Sequence, residues 1–407
     1  MIQYGDIRRL SGYDLEPVDL IVGGSPCQNF SIAGNRQGLE GSESGLFLEM
    51  IRIIKEMRKA TNGDHPKFIL LENVPGIFSS NSGNDFSAVL TEFIRILEPG
   101  TPDVPCPQDG WPKAGIIFLP NGSLAWRTHD AQLWGRTIRD SDTGDVLFMG
   151  TPQRRRRVSV IVDLRGQSAP EILFESTVMR GNPQQSQKTG EDPARTASQS
   201  TGVPGGVRDI ENEPKVYDSQ IYHDFQEMTD VCQSVHAQYG TGGNNMPFVV
   251  NERGNDSAPA EDQVAVLQGL GDYKMDNVAS SLKQRDYKDA TDLVCGEDEQ
   301  VIRTVRRLTP LECERLQGYP DEWTNIPGAS DSKRFKALGN SICLPFWEWL
   351  ARRFTRYGNV RTIGSLFAGI GGFELVFHRA GCETLWNSEI DNFCQQVVKY
   401  HHDKGEL

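Results

Sequence analysis

One stretch near the C-terminus constrains the fold more than any other. Thr362-Ile363-Gly364-Ser365-Leu366 reads as a short buried strand, Phe367-Ala368-Gly369-Ile370-Gly371 as a glycine turn, and Gly372-Phe373 as a helix start. Leu385-Trp386-Asn387-Ser388 then gives a second strand pattern that runs into Glu389, Ile390 and Asp391. Strand, glycine turn, helix and acid-ended strand is the logic of a nucleoside-binding βαβ unit. The glycines let the backbone approach a ligand, and the acid suits ribose hydroxyls. Three further apolar runs supply the rest of a sheet: Val18–Val22 before Gly23-Gly24, Phe68–Leu71 before Glu72, and Val158–Val162 after four arginines. Each has the length of a buried strand. The expectation is an α/β fold.

The ends of those runs carry the chemistry. Gly23-Gly24-Ser25-Pro26-Cys27 puts a cysteine on a glycine-rich turn at a strand's C-terminal end, where open α/β sheets hold ligands. The two glycines are read as freeing the backbone to turn, and Pro26 as stiffening the step. A free cysteine is more often a small buried hydrophobe, so Cys27 needs company to count as a nucleophile. Glu72 ends the next strand, and Arg154–Arg157 precede the third. Cysteine, carboxylate and arginine make a nucleophile, an acid and an orienter.

Pro26-Cys27-Gln28, Glu72-Asn73-Val74 and Gln153-x-Arg155-x-Arg157 resemble the motifs of the DNA (cytosine-5) methyltransferases, in that family's order. The resemblance implies an S-adenosylmethionine-dependent methyltransferase sheet, Rossmann-like, with a smaller, mostly β target-recognition domain. It implies Cys27 attacking cytosine C6, Glu72 holding N3 and the exocyclic amine, Arg157 orienting Glu72, and Arg155 on the target's phosphate or base. Arg154 and Arg156 face outward or meet phosphate, and Gln28 and Ser31 meet DNA, Gln28 filling the gap left in the duplex. The cofactor, S-adenosyl-L-methionine, falls to Phe367 near the adenine, Gly369, Gly371 and Gly372 at the methionine part, and Glu389 with Ile390 at the ribose. Asp6 and Ile7 of a Gly-Asp-Ile segment, Pro26, and Asn340-Ser341 of a Gly-Asn-Ser segment complete that set.

In the usual family order the glycine-rich cofactor unit comes first, whereas here it comes last. The motif order therefore implies a circular permutation with the break between Glu389 and Asp6. The expected organisation is a first catalytic part at 1–172, a target-recognition domain at 173–302, and a return to the catalytic domain at 303–407, with the cofactor unit at 361–407. Within it, Ser31–Gly45 reads as a mobile loop closing on substrate, and Leu46–Arg58 and Phe86–Leu97 as helices. Pro-rich Glu98–Pro112 reads as an insertion or lid, and Ser176–Lys215 as an extended connection. Gln238, Asn244, Asn245, Gln284 and Arg285 have side chains able to read base edges, or simply to solvate loops. Thr309-Pro310 should cap a short helix ending near Gly318, with Cys313 in its packing, and Pro345–Phe354 should form another helix.

Composition bounds the alternatives. The 407 residues give room for two or three domains, and no apolar run approaches the ~20 residues of a membrane span. The N-terminus lacks the pattern of a signal peptide. Eight scattered cysteines without a Cys-x-x-Cys pair argue against a disulfide framework or a zinc site and for a reducing cytosol, and the resemblance implies the cytoplasm of a bacterial cell with a possible phage origin. A net charge of −13 runs against a DNA partner until local placement is weighed. Arg154–Arg157, Arg303-Arg306-Arg307 and Lys333-Arg334-Lys336 predict a basic cleft on an acidic body, on a monomer acting on double-stranded DNA without an obligate protein partner. Three rivals stand against this reading. The RNA methyltransferases of the same fold carry a Cys-Phe-Thr-x-x-Tyr signature absent here. An idle DNA-binding regulator would not need both Cys27 and Glu72. Transfer of a modified group would favour a cation near the methionine end, where Asn340 stands.

Overall fold

The structure, a computed structural model, describes residues 1–25, 45–139, 146–151, 153, 155–174 and 301–407, and six short strands between 215 and 294. The chain divides into two compact units. The first contains residues 1–130, 156–184 and 344–407; the second contains 131–155 and 185–343. Residues 303–343, expected to return to the catalytic part, thus cluster with the second unit, as does 131–155.

The first unit is built on β1 (Ile2–Tyr4), β2 (Leu20–Gly24), β3 (Phe68–Asn73), β4 (Ala114–Leu119) and β5 (Gly122–Asp130). The chain then makes the β6/β7 hairpin (Gly135–Arg139, Val146–Gly150) of the second unit, returns with β8 (Arg156–Asp163), and leaves again for seven further strands between 215 and 307. It comes back with β16 (Thr362–Leu366) and β17 (Glu383–Ser388). The sheet has eight strands in the order β1-β17-β16-β2-β3-β8-β5-β4. From β1 to β3 neighbours run parallel; β8, β5 and β4 continue antiparallel.

Strands in the middle of such a sheet are covered on both faces, so they read as continuous apolar runs. Ile21, Ile69, Leu71, Val160 and Val162 face one layer with Met50, Ile53, Ile54 and Met57 of the helix Gly45–Ala60 and Phe86, Val89, Leu90 and Phe93 of Asn84–Leu97. Leu20, Val22 and Leu70 alternate with these and are equally buried. Phe354 of the helix Leu344–Tyr357 meets the ring of Phe68 at 5.7 Å, and Trp347 of that helix meets Phe373 of Gly372–Arg379 at 5.1 Å.

The stretch read as an insertion or lid, 98–112, is packed down on the first unit. Trp111 sits edge-on to Phe86 and Trp126, and its Nε1 donates to Gly83 O at 2.8 Å. Val104 N donates to Thr91 Oγ1 at 2.9 Å. Trp126, read as packing, is buried.

In the second unit β10-β9-β11-β15 and β13-β12-β14 form two antiparallel sheets (β9 Lys215–Asp218, β10 Gln226–Met228, β11 Phe248–Gly254, β12 Val264–Leu267, β13 Tyr273–Asp276, β14 Asp292–Val294, β15 Val301–Arg307). The helix Pro310–Leu316 starts as predicted: Glu312 N donates to Thr309 Oγ1 and Thr309 N to Glu312 Oε2, a reciprocal capping box. Gly318 follows its end with φ +80°, the left-handed conformation that favours glycine there. Cys313 is buried. Gln238, Asn244, Asn245, Gln284 and Arg285 lie outside the described residues, as does 176–214.

The seam between β2 and β16 is closed by one residue. Asp19 N donates to Thr362 Oγ1, and its Oδ2 accepts from Arg361 N at 2.8 Å and Thr362 N at 3.3 Å. Its Oδ1 pairs with Lys67 Nζ at 2.6 Å. Burial alone would raise the Asp19 pKa, but Lys67 and the two backbone N–H groups outweigh it and hold the carboxyl below the usual range. A depressed carboxyl pKa contributes stability that is complete above the unfolded value, about 4. That contribution is lost as pH falls through the folded value. Asp19→Asn is expected to lower the unfolding free energy in urea at pH 7 by about 1–3 kcal/mol, the cost of buried donors left without their charged acceptor. The gap between wild type and variant should close as the titration is repeated at progressively more acid pH.

Candidate active site

Two crossovers leave the sheet in opposite directions at one point. β16 connects through the helix Gly372–Arg379 to β17 on one side, and β2 through Gly45–Ala60 to β3 on the other. Between β16 and β2 lies the topological switch point, and ligands of open α/β sheets sit in the crevice beyond the strands' carboxyl ends there. Leu366 pairs with Gly23, and Gly24 with Glu72, so the register brings the turn after β16, the end of β2 and the end of β3 side by side.

Glu72 is fixed from two directions. Glu72 lies opposite Ser159 across β3/β8, and side chains two apart on a strand share a face, so Arg157 reaches Glu72 diagonally. Arg157 Nε stands 2.7 Å from Glu72 Oε1, while its Nη1 donates to Arg156 O at 2.7 Å. The other carboxylate oxygen lies over Gly24, where a Cβ would come within 2.7 Å of Oε2. Gly23 and Gly24 are therefore not turn glycines. They are strand residues of β2, and Gly24 is glycine to leave room for the carboxylate. Asn73, quoted within its motif but given no task, is buried; its Nδ2 reaches Ser25 O at 3.5 Å and its Oδ1 accepts from Val74 N. It ties the ends of β3 and β2 together.

Behind Arg157, His129 of β5 is its register partner. The imidazole stacks on Phe346 at 3.5 Å and sits 3.2 Å from Ser159 Oγ. Burial first, then the charges of Arg127 and Arg157, push its pKa well below the usual histidine range, so the ring is neutral. Arg156 is 72% exposed, as expected of an outward-facing arginine, and pairs loosely with Asp130 at 3.3 Å.

Arg155 departs from its expected place. It belongs to the second unit, is buried, and its Nη2 donates to the carbonyls of Gly339, at 2.9 Å, and Ser341. Those carbonyls lie at the end of the helix Asp331–Asn340. Asn340 is exposed and Ser341 is buried against the Tyr319 hydroxyl, both in that second unit. Gln153 is also buried there, with neither amide atom hydrogen-bonded. Pro26, Cys27, Gln28, Ser31 and Arg154 lie outside the described residues, as does the expected loop 31–44.

The turn after β16 forms a cradle. Phe367 has φ +59°, a left-handed conformation rare for a bulky side chain and worth about 1–3 kcal/mol of strain. Gly369 and Gly371 are also left-handed, at φ +56° and +81°. The turn is held by Glu389, whose Oε2 accepts from Gly369 N and Oε1 from Asp391 N, both at 2.7 Å. Nothing lies within 4 Å of the Cβ position at Gly369, and Ile390 exposes 68% of its surface. An open glycine backbone, an exposed aliphatic side chain, a half-buried Phe367 and a carboxylate fit a nucleoside with an amino-acid tail. Gly372 begins the helix and is buried. Asp6 is otherwise engaged: its carboxylate takes Arg8 N, Nε and Nη2, the last at 2.6 Å, and caps the turn 7–9. The Arg8 hydrogen bond, against a smaller burial effect, holds its pKa low. Ile7 is buried in the core.

Among the described residues no cluster of His, Cys, Asp or Glu could hold a metal ion, and no helix is long and apolar enough to cross a membrane.

The sequence model of the C-5 cytosine-specific DNA methylases matches residues 2–97, 145–356 and 361–406. The orphan methyltransferase M.SPRI of Bacillus phage SPR is 35% identical, over 85% of this chain and 84% of that protein. The DNA N-6-adenine-methyltransferase of Escherichia phage P1 is 26% identical over 86% of this chain, and the type II methyltransferase M1.ScrFI of Lactococcus lactis subsp. cremoris 25% identical over 86%. The chain spans 55% and 65% of the lengths of these last two. This chain belongs to the C-5 cytosine-specific DNA methylase family.

Proposed function

We propose that the protein is a DNA (cytosine-5-)-methyltransferase acting on a cytosine flipped out of duplex DNA within one short recognition sequence. The observation that carries this reading is the Glu72–Arg157 pair laid over Gly24, three residues before Cys27 in the chain. Cytosine C5 is a weak nucleophile until something adds at C6. The Cys27 thiolate forms the bond to C6, which requires an environment that lowers a thiol pKa from about 8.5. Glu72 meets N3 and the exocyclic amine, neutralising charge as the ring becomes an enamine. Arg157 holds one carboxylate oxygen, so the geometry of Glu72 is set before the base arrives. S-adenosyl-L-methionine, when bound, supplies an electrophilic methyl group on a sulfonium. Loss of the C5 proton then expels Cys27 and restores the thiolate. Flipping costs a few kcal/mol of unstacking, which contacts to the gap and the phosphates must offset. Gln28, Ser31, Arg154 and Arg156 are assigned there.

Phe367, Gly369, Gly371, Gly372, Glu389 and Ile390 would hold the cofactor at the switch point, with Asp6, Ile7, Pro26, Asn340 and Ser341 carried over from the resemblance. The segment 361–407 follows the Gly-Asn-Ser segment in the chain, yet β16 lies between β17 and β2 in the sheet. A circular permutation of the family's motif order, inferred from the order of motifs in the chain, accounts for this placement. A cytoplasmic monomer of bacterial or phage origin, with no obligate protein partner, completes the reading.

The relative from phage P1 bears an N-6-adenine name. An exocyclic amine is itself nucleophilic and needs no thiolate addition at the ring, so Cys27 with Glu72 favours the carbon. Bisulfite sequencing of plasmid from a host expressing the chain, beside Cys27→Ala, tests this. Protected cytosines in one short motif, lost in the variant, are the expected result. No protected cytosine, with N6-methyladenine found by nucleoside analysis of the same plasmid, would overturn the cytosine reading. Gly24→Ala should displace the Glu72 carboxylate and lower kcat about a hundredfold or more, the usual worth of a placed acid–base group. The Kd for S-adenosylmethionine should stay within threefold of wild type.

A further inference from the structure

Among the buried acids of the described residues that the mechanism does not use, one adjoins the cradle. Glu374 stands in the first turn of the helix Gly372–Arg379, directly after the cradle turn, and is fully buried. Neither carboxyl oxygen has a hydrogen-bond partner of standard geometry. Ser365 of β16 and Asn387 of β17, register partners across the two strands, are its polar neighbours. Ser365 Oγ and Asn387 Oδ1 are themselves buried without partners. Buried polar atoms of three adjoining elements thus gather in one place after the cradle turn, outside strict hydrogen-bond geometry yet close enough for Ser365 and Asn387 to act on the carboxyl. Buried polar groups in native proteins are nearly always satisfied, so a cluster of this kind asks for a task.

Burial raises the Glu374 pKa to about 7; its own N–H and Ser365 oppose this, and the charge of Glu389 adds to it. β16 carries no ionisable side chain. Glu383 begins β17 at its exposed end. In the helix Leu344–Tyr357, Glu348 pairs with Arg379, Arg353 donates to Ile172 O and Phe174 O, Arg352 is exposed, and Arg356 lies over the Tyr357 ring. His378 lies towards the helix's far end.

We infer that Glu374 is a proton-linked positioning residue of the cradle, protonated when the cradle is empty and ionised when a cationic cofactor enters, so that the cradle distinguishes the sulfonium of S-adenosylmethionine from the uncharged thioether of S-adenosylhomocysteine. This rests on the cofactor reading above. The chemistry is a linkage: a cation over the cradle favours the carboxylate, the carboxylic proton passes to buffer, and the cation's affinity rises by the same factor. Once charged, Glu374 is the stronger acceptor for the neighbouring Ser365 hydroxyl and for the Asn387 amide, whose Nδ2 donates to Met1 Sδ at 3.4 Å. The demethylated product has the same shape without the permanent charge, and gains nothing from the ionisation.

The test is calorimetric titration of the full chain with S-adenosylmethionine and with S-adenosylhomocysteine at pH 7, in phosphate and in Tris. Wild type and Glu374→Gln are compared, because the cofactor's amino group also titrates and must be subtracted. The expected result is proton release with the sulfonium that is absent or much reduced in the variant. The preference for the sulfonium over the thioether should grow several-fold from pH 6 to pH 8 in wild type and stay flat in the variant. Equal release and equal pH dependence in both proteins would overturn the inference. If the variant does not fold, infrared difference spectra of wild type decide: the carbonyl stretch of a protonated carboxylic acid should vanish on adding S-adenosylmethionine and persist with S-adenosylhomocysteine. Its persistence with both would also overturn the inference. Failure of wild type to bind either compound would instead defeat the cofactor reading itself.

Discussion

The parallel pairing of β16 with β2 is the constraint on which the first unit depends. Residues more than 340 apart in the chain form adjacent strands in the middle of its sheet, and Asp19 fastens their starts. The same residue's carbonyl accepts from Lys67 N and Phe68 N, so the entries of β16, β2 and β3 are set by a single position. Closing so long a loop costs little more than closing a moderate one, because the entropy grows only with the logarithm of length. It does make the pairing non-local, and such contacts form late unless something fixes their register. A charged acceptor that takes two backbone donors and an ammonium does that. Once register is set at the strand starts, the carboxyl ends follow.

Those ends place two kinds of apparatus against one crevice, held by different physics. The cradle is a backbone structure: left-handed turns at Phe367, Gly369 and Gly371 are pinned by the Glu389 carboxylate through the N–H groups of Gly369 and Asp391. Its strain is local, and the bonds that offset it lie within about twenty residues of it. Glu72, by contrast, is held by side chains and by space. Arg157 approaches from the antiparallel strand next to β3, and Gly24 yields the volume on the parallel strand at the other side. The change from parallel to antiparallel pairing at β3 therefore matters, because it carries an arginine near the start of β8 to the carboxyl end of β3.

Much of this was legible in the sequence, for reasons that can be named. Short apolar runs bounded by glycine or a carboxylate read correctly as two-faced strands, and Thr309-Pro310 read as a helix start because capping chemistry is local. Gly23-Gly24 was legible as important but not in its cause. A glycine that bends the chain and one that clears space for a neighbour look alike until the register is known. Arg155 and Asp6 were read for what their charges might touch outside the protein, whereas carbonyls of the second unit and Arg8 occupy them. A motif states which residue types recur together; it does not say which of them the protein has already bonded to itself. The grouping of 303–343 was equally hidden, since contact with the second unit is a property of packing and leaves no composition shift at its boundary.

Glu374 illustrates the remaining limit. In an amphipathic helix an acid in the first turn is ordinarily solvated and favourable to the helix dipole, and that bland reading is the right one for most sequences. Here the helix crosses from β16 to β17, and every residue from Gly372 to Phe377 is buried, so the same acid loses water on all sides. Its environment is a product of the topology: a crossover helix in the covering layer, over two strands whose facing side chains are a serine and an asparagine. The seam that brings β16 beside β2 thus also settles the electrostatics beneath the cradle. Glu374 lies in the helix that follows the cradle turn, and the charge of Glu389, which pins that turn, works against its ionisation. A site so arranged responds to the charge of what enters it as well as to its shape.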